Sequence, residues 1–163
     1  MEALRDEGIP LIAALYPDPD PEVTRRLCRA LETSQPVTLF HDMFFTPMYV
    51  VDFVERLMRL IEQGHRGRFH LAGGERVSKY QFGALMADLA QISMDHIRVG
   101  SIDEAALGAP RPKDMSLSCE RFRRLTGMQL PGCREGLQRF LNDRGRPLSA
   151  RVSVDQAHVT SRL

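Results

Sequence analysis

Apolar side chains recur at helical spacing in residues 53–63, and this segment is one of the two best-defined helices that the pattern predicts. Asp52 precedes the segment, and an aspartate there can accept hydrogen bonds from the free amides of a first turn. Gly64 follows it and favours a stop. We therefore predict a helix that is capped by Asp52 and buries its apolar positions, which are Phe53, Leu57, Leu60 and Ile61.

The other well-defined helix is predicted over residues 79–91. Ser78 and Gln81 stand three positions apart, the spacing of a capping box, just before an apolar face at helical spacing. Weaker patterns predict three further helices, over residues 21–33, over a short segment that ends at Gly127, and over residues 134–143. The chain should therefore contain about five helices.

Short extended segments are predicted between these helices. Residues 9–16 form an apolar run that ends at prolines, and we predict a buried strand whose sheet lies partly outside this chain. Further strands are predicted over residues 36–40, 67–72 and 97–99, with a loop over residues 41–47. Because strands and helices do not alternate regularly, the pattern favours a small mixed α+β fold.

Composition adds limits on size and partners. A chain of 163 residues with 43% hydrophobic and 26% charged residues is typical of one globular unit. The net charge is +1 and the basic residues are spread along the chain, so we predict no nucleic-acid or membrane partner. Residues 146–163 have no sustained period and are predicted to be a flexible tail. The start of the chain lacks a signal-peptide pattern, so a cytoplasmic location is expected.

The chain lacks the sequence features that hydride transfer from a nicotinamide to a carbonyl requires. No glycine-rich strand-to-helix loop is present, and no tyrosine is followed four residues later by lysine. The pair Gly73-Gly74 is predicted to be a structural turn. The histidines and cysteines have no metal-ligand spacing. His41-Asp42 remains open, either as a polar pair at a site mouth or as a loop that satisfies its own backbone.

Four ordered segments resemble extended short-chain dehydrogenase/reductases. Residues 39–52, LFHDMFFTPMYVVD, are similar to the segment that closes the substrate pocket in the dTDP-4-dehydrorhamnose reductase group. Residues 67–74 and 77–82 resemble a strand and a serine-started helix of that family, and residues 109–118 resemble its Arg-Pro element. The segment around Phe44 departs from the family pattern, because its glycine is absent and Thr46-Pro47 stand in exchanged order.

The resemblance implies that this chain is the carboxy-terminal part of a Rossmann-type extended reductase. Residues 1–145 would be a sugar-nucleotide-binding domain for a dTDP- or UDP-sugar, with residues 9–40 as a remnant of the last Rossmann strand and helix. A complete family member would bind NADP or NAD upstream, so no cofactor is expected in this chain and the isolated chain should be inactive. Such a domain would be a fragment or would pair with a separate Rossmann subunit. The alternative is a non-catalytic regulatory or protein-interaction relative, which would bind another protein.

Arg111 is the leading candidate site residue, because its guanidinium can match phosphate oxygens bidentately and two prolines stiffen its loop. A simple surface arginine is the alternative. Lys113 would add positive charge at a diphosphate. Thr46 and Tyr49 would offer hydroxyls to a sugar, although packing of the Tyr49 ring is equally compatible with the sequence. The apolar wall of the site would be formed by Phe44 or Phe45.

Overall fold

The structure is a computed structural model that describes residues 36–105 and 109–143. In chain order its elements are β1 (Val37–Phe40), β2 (Phe44–Phe45), α1 (Val50–Glu62), β3 (Val77–Ser78), α2 (Lys79–Ala90), β4 (Ile97–Gly100), the 3-10 turn Ile102–Glu104, α3 (Glu120–Thr126) and α4 (Cys133–Asn142). This mixture confirms the predicted α+β class. The predicted strand 9–16, helix 21–33 and tail 146–163 lie outside the described residues.

Two small sheets organise the described part of the chain. β1 pairs in parallel with β4, from Val37 opposite Ile97 to Phe40 opposite Gly100, so both strands end at the same edge. β2 pairs antiparallel with β3, and Phe44 of β2 also forms a parallel bridge with Asp114. The strands predicted near residues 36–40 and 97–99 are confirmed.

Two predictions about extended segments are wrong. The segment 41–47 is not all loop, because it contains β2, whose two residues are too few to show a period. Residues 67–72 do not form a strand. Phe69 and Leu71 alternate with exposed neighbours because they are buried in a core cluster, and not because the segment belongs to a sheet.

Helix α1 begins earlier than the sequence predicts. Tyr49 is its N-cap residue and makes no side-chain capping bond, whereas Asp52 lies inside the first turn. The prediction of Asp52 as the cap is therefore wrong. Its carboxylate is buried instead, with 1% exposure, against basic side chains described below. Ile61 is also placed wrongly, since 43% of it is exposed while the neighbouring Leu60 is buried.

The other helix ends follow local rules. Ser78 and Gln81 form both bonds of the predicted capping box, from the Ser78 amide to the Gln81 side chain at 2.8 Å and from the Gln81 amide to the Ser78 hydroxyl at 3.1 Å. α3 ends at Gly127 in the left-handed region, as predicted. α4 has Gly132 at its N-cap, and the carboxylate of Glu75 accepts from the Cys133 amide at 3.0 Å in place of a local cap.

Two apolar clusters form the core. The first lies among α2, α4 and the strands, and its buried residues are Leu39, Phe45, Val77, Met86, Ala87, Cys133 and Leu137. The second lies beneath α1 and α3, and its buried residues are Leu60, Phe69, Leu71, Ala72, Cys119 and Phe122. The predicted site residues are distributed around the first cluster.

Candidate functional site

A polar cluster lies beyond the carboxyl ends of the parallel strands β1 and β4. The Asp42 carboxylate, just after β1, accepts a hydrogen bond from the Ser101 hydroxyl at 2.6 Å and another from the Ile102 amide at 2.9 Å. These bonds, with the Ser101 bond contributing most, lower the pKa of Asp42 to about 2. The ionised carboxylate therefore ties the loop after β1 to the loop after β4. Such an edge of a parallel sheet is where open α/β proteins bind ligands.

Lys113 joins this cluster from the third loop. Its ammonium forms a short hydrogen-bonded ion pair with Asp103 and lies 3.5 Å from the Asp42 carboxylate. The hydrogen bond to Asp103 is the main cause that raises the pKa of Lys113. We call Asp42, Ser101, Asp103 and Lys113 the polar cluster. It holds two carboxylates and one ammonium, so Lys113 is already balanced by acids of this chain.

An ion pair anchors the same loop one residue later. The Arg76 guanidinium donates to one oxygen of Asp114 from Nε at 3.0 Å and from Nη2 at 2.9 Å. The second oxygen of Asp114 accepts from the Ser116 amide and hydroxyl. The Arg76 and Ser116 bonds lower the pKa of Asp114 to about 2. Arg76 also stacks on Phe44, 3.6 Å from the ring centroid.

Backbone bonds fasten this loop to β2. The Phe44 amide donates to the Lys113 carbonyl at 2.6 Å, and the Met115 amide donates to the Phe44 carbonyl at 2.9 Å. The backbone of residues 113–115 is therefore bonded to both the amide and the carbonyl of Phe44. The loop immediately after Arg111 has little freedom to move.

Arg111 stands at the outer part of this loop, between Pro110 and Pro112. Its side chain is exposed, and within the described part of the chain it forms no hydrogen bond and no ion pair. The guanidinium is thus presented on a stiff loop with its donors unused by those residues. A guanidinium can donate two parallel N–H bonds to a phosphate or a carboxylate.

The two predicted hydroxyls already make internal contacts. Thr46 Oγ1 accepts from the Leu117 amide at 3.2 Å, which leaves its own proton available to a ligand. The Tyr49 hydroxyl donates to the Asp143 carboxylate at 3.3 Å, and its ring packs edge-on against Phe140. Thr46 therefore lies beside the loop that follows Arg111, whereas Tyr49 faces α4.

The two predicted phenylalanines have different surroundings. Phe45 is buried, packs edge-on against Phe82 with centroids 5.4 Å apart, and is covered by the Lys79 ammonium at 3.6 Å. Phe44 is half-buried and lies under Arg76. The structure thus brings Phe44 and Lys113 together, with Arg111 two residues from Lys113, and leaves Phe45 in the core.

Sequence reasoning missed Ser101, Asp103 and Arg76. Ser101 and Asp103 follow a predicted strand, but their meaning depends on the parallel pairing of β1 with β4, which sequence spacing does not reveal. Arg76 is one of many arginines and gains its role only from Asp114, 38 residues away. A polar residue directly after each of two strands was the available signal.

The described residues offer no metal centre and no activated thiol. No group of three or more histidine, cysteine or acidic side chains comes together in residues 36–105 and 109–143. Burial raises the pKa of the Cys133 thiol to about 12 and also raises the pKa of Cys119, so neither is a ready nucleophile. In the same ranges, no helix combines the length and apolar character needed for a bilayer crossing.

The glycine pair does not fit a dinucleotide cradle. A Cβ on Gly73 would lie 1.9 Å from the Pro47 carbonyl oxygen, and one on Gly74 would lie 2.6 Å from the Leu130 carbonyl oxygen. These glycines therefore admit neighbouring backbone and leave no room for a pyrophosphate. The described residues therefore contain no glycine loop that could bind the NADP or NAD of complete family members.

Solved structures share this fold. A dTDP-4-dehydrorhamnose reductase from Bacillus anthracis, solved with NADP, superposes with a TM-score of 0.69 at 23% identity, over 81% of this chain and 47% of that one. A second such reductase, from Clostridium acetobutylicum, gives a TM-score of 0.67 at 23% identity, over 80% and 46%. The chain thus spans just under half of each.

Sequence comparison adds curated relatives and a family. Methionine adenosyltransferase 2 subunit beta from Rattus norvegicus is 32% identical over 90 residues, which cover 53% of this chain and 27% of that protein. Its counterpart from Xenopus tropicalis is 31% identical over 107 residues, or 60% and 32%. The chain spans about a third of these relatives or less. The model of the RmlD substrate binding domain matches residues 7–145. The chain therefore belongs to the RmlD substrate binding domain family of extended short-chain dehydrogenase/reductases.

Proposed function

We propose that this chain is the sugar-nucleotide-binding part of a protein similar to dTDP-4-dehydrorhamnose reductases. The observation that carries the proposal is the presentation of Arg111, whose guanidinium is exposed and unpaired among the described residues on a loop that is fastened to β2 immediately afterwards. Because the backbone beside Arg111 is already fixed, binding has to order only the side chain and not the loop. In this proposal residues 1–145 form the binding domain.

Arg111 would provide most of the attraction for the diphosphate. Lys113 has three N–H donors, and two acids already surround its ammonium. Its charge is therefore largely offset, and its main contribution would be to fix the loop on which Arg111 stands. A guanidinium without an acidic partner keeps its full charge for the phosphate oxygens.

Phe44 and Thr46 would complete the site near the sugar. Phe44 presents a half-buried ring on the strand that holds the loop, and the Thr46 hydroxyl keeps one proton to donate. Phe45 would support this surface from the core. Tyr49 would act indirectly, because its hydroxyl and ring are engaged with α4.

Calorimetric titration tests the proposal with dTDP-glucose and UDP-glucose as probes. Arg111→Ala should weaken binding by about tenfold to a hundredfold, the usual effect of losing hydrogen bonds to a charged group. Arg111→Lys should restore only part of the affinity, because an ammonium cannot form the bidentate fork. Arg98→Ala is the matched control, since Arg98 is exposed on β4. Equal affinities of Arg111→Ala and Arg98→Ala, or no binding by the folded parent chain, would contradict the proposal.

A second part of the proposal concerns the cofactor. NADP or NAD and the proton donor would be supplied by a half that this chain does not contain, either upstream in the same polypeptide or in a separate Rossmann subunit. The isolated chain should then bind a dTDP-sugar without oxidising NADPH in the presence of dTDP-4-dehydrorhamnose. Turnover by the purified chain would show that this division is wrong.

One observation favours a second candidate, a non-catalytic subunit. The curated relatives at 30 to 32% identity are named as the beta subunit of methionine adenosyltransferase 2, an enzyme of different chemistry. A chain with this role would associate with the other subunit of such an enzyme. Light scattering of the mixed proteins should show a complex, whose absence at micromolar concentration would remove this candidate.

A further inference from the structure

We propose that a group of exposed arginines near α3 is a docking surface for an acidic surface of a partner protein. Its members are Arg66, Arg68, Arg121 and Arg124, and we call them the basic patch. The patch lies over the second core cluster, whereas the loop of Arg111 is fastened to β2 beside the first. The inference therefore does not depend on sugar-nucleotide binding.

Packing places the Arg121 guanidinium beside the segment that contains Arg66 and Arg68. The Arg121 guanidinium lies 4.9 Å from the centroid of the Phe69 ring, and its Nη2 lies 3.1 Å from the position that a Cβ on Gly67 would take. Arg66 and Arg68 flank Gly67, so their Cα atoms are each about 3.8 Å from its Cα. Arg124 is three residues after Arg121, on the same face of α3.

The four arginines form no ion pair with an acid of the described residues, 36–105 and 109–143. All four are exposed. Other arginines of the same ranges do pair with acids, namely Arg56, Arg76, Arg134 and Arg139. Neighbouring like charges repel one another and create a positive field that attracts an anionic partner.

The surroundings of the patch favour a protein over other anionic partners. Leu125 follows Arg124 and is 43% exposed, so a protein bound at the patch would also cover an apolar side chain, and arginine is enriched at protein interfaces. Single-stranded nucleic acid would call for exposed aromatic rings, but the large exposed hydrophobic residues of the described chain include none, and Phe69 is buried. One leucine also gives little apolar area for insertion into a membrane.

Fluorescence anisotropy on the full chain tests the inference. The probe is a labelled acidic peptide of about 16 residues in which leucine interrupts runs of glutamate, long enough to cross the patch. Arg124→Glu should weaken binding by about tenfold, since arginines at interface centres often contribute a factor of that size. Arg98→Glu makes the same change of charge on β4 and should leave the affinity within about twofold. Leu125→Asn should also weaken binding, because it removes the apolar contact.

Two comparisons complete the test. Thermal melts should show that each variant is folded at the assay temperature, because Arg124 and Leu125 are exposed and outside the core. A double-stranded DNA probe of similar charge should bind more weakly than the peptide at the same salt concentration. The inference is overturned if the parent chain does not bind the peptide, if Arg124→Glu behaves like Arg98→Glu, or if DNA binds more tightly.

Discussion

Arg139 of α4 forms a short ion pair with the buried carboxylate of Asp52 in the first turn of α1. The same guanidinium also contacts Glu55 at 3.0 Å, and Arg56 approaches Asp52 at 3.5 Å. Desolvation by burial nevertheless raises the pKa of Asp52, and one of its carboxylate oxygens has no hydrogen-bond partner among the described residues. The buried carboxylate of Asp52 thus joins α1 to α4 through its ion pair with Arg139.

Arg139→Ala should destabilise the protein by about 3 kcal/mol at pH 7, because it leaves the Asp52 charge buried with only Arg56 nearby. Because the pKa of Asp52 is higher in the folded state than in the unfolded state, protonation of Asp52 stabilises the fold. This stabilisation is complete below the unfolded-state pKa and is lost as the pH rises through the folded-state pKa. The loss caused by the substitution should therefore shrink as the pH falls toward 4 and Asp52 becomes protonated. Urea denaturation at several pH values measures this. Arg134→Ala, which removes an exposed pair with Asp88, is the control and should have no such pH dependence.

Ser78→Ala should lower the free energy of unfolding by about 1 kcal/mol, because it leaves the Gln81 amide without its acceptor. Gln81→Ala removes the reciprocal bond to the Ser78 amide. The two substitutions should not be additive, since each bond of the capping box fixes the geometry of the other. A double-mutant cycle from chemical denaturation measures the coupling. Full additivity would contradict the reciprocal arrangement.

Gly73→Ala should destabilise the protein by more than about 3 kcal/mol, because the new methyl group would overlap the Pro47 carbonyl oxygen and backbone has to shift. Gly136→Ala is the matched control. A Cβ there meets only ordinary contacts at 3.8 to 3.9 Å, and alanine favours the helix interior. Thermal melting should separate the two variants. Similar midpoints would mean that the approach of Gly73 to Pro47 is looser than the structure shows.

The Ser116 amide should report the ionisation of Asp114. Its NMR shift should titrate with a midpoint near the pKa of about 2, because Arg76 and Ser116 stabilise the carboxylate. A lowered pKa means that the anchor is intact above the ordinary value of 3.8 and is lost as the pH falls through about 2. Arg76→Ala should move the midpoint upward. An unchanged midpoint would assign the low pKa to Ser116 alone.

Local chemistry made some of these features predictable from sequence. Ser78 and Gln81 are three residues apart, and Gly127 ends α3 through its own backbone conformation. Both helix ends can therefore be predicted from residues that are close together in the sequence. Asp52 misled the prediction because an aspartate before an apolar run looks like a cap. Its actual partner, Arg139, is 87 residues away.

The exposed position of Arg111 was predictable for the same reason. Arg111 between two prolines is a local signal, and the structure does place it on an exposed loop. The hydroxyl of Tyr49 is different, because its contact with Asp143 spans 94 residues and cannot be inferred from spacing. The strands β2 and β3 are each two residues long, too short for any periodicity to appear.

The pairing of β1 with β4 has a consequence for synthesis. Val37 pairs with Ile97, which lies sixty positions later in the chain. The intervening residues and β4 must therefore leave the ribosome before β1 can pair with β4. Until then the edge of β1 that pairs with β4 is open, and another nascent chain could join it. Truncation before residue 97 should accordingly yield insoluble product, and early chaperone capture should favour recovery of the intact polypeptide.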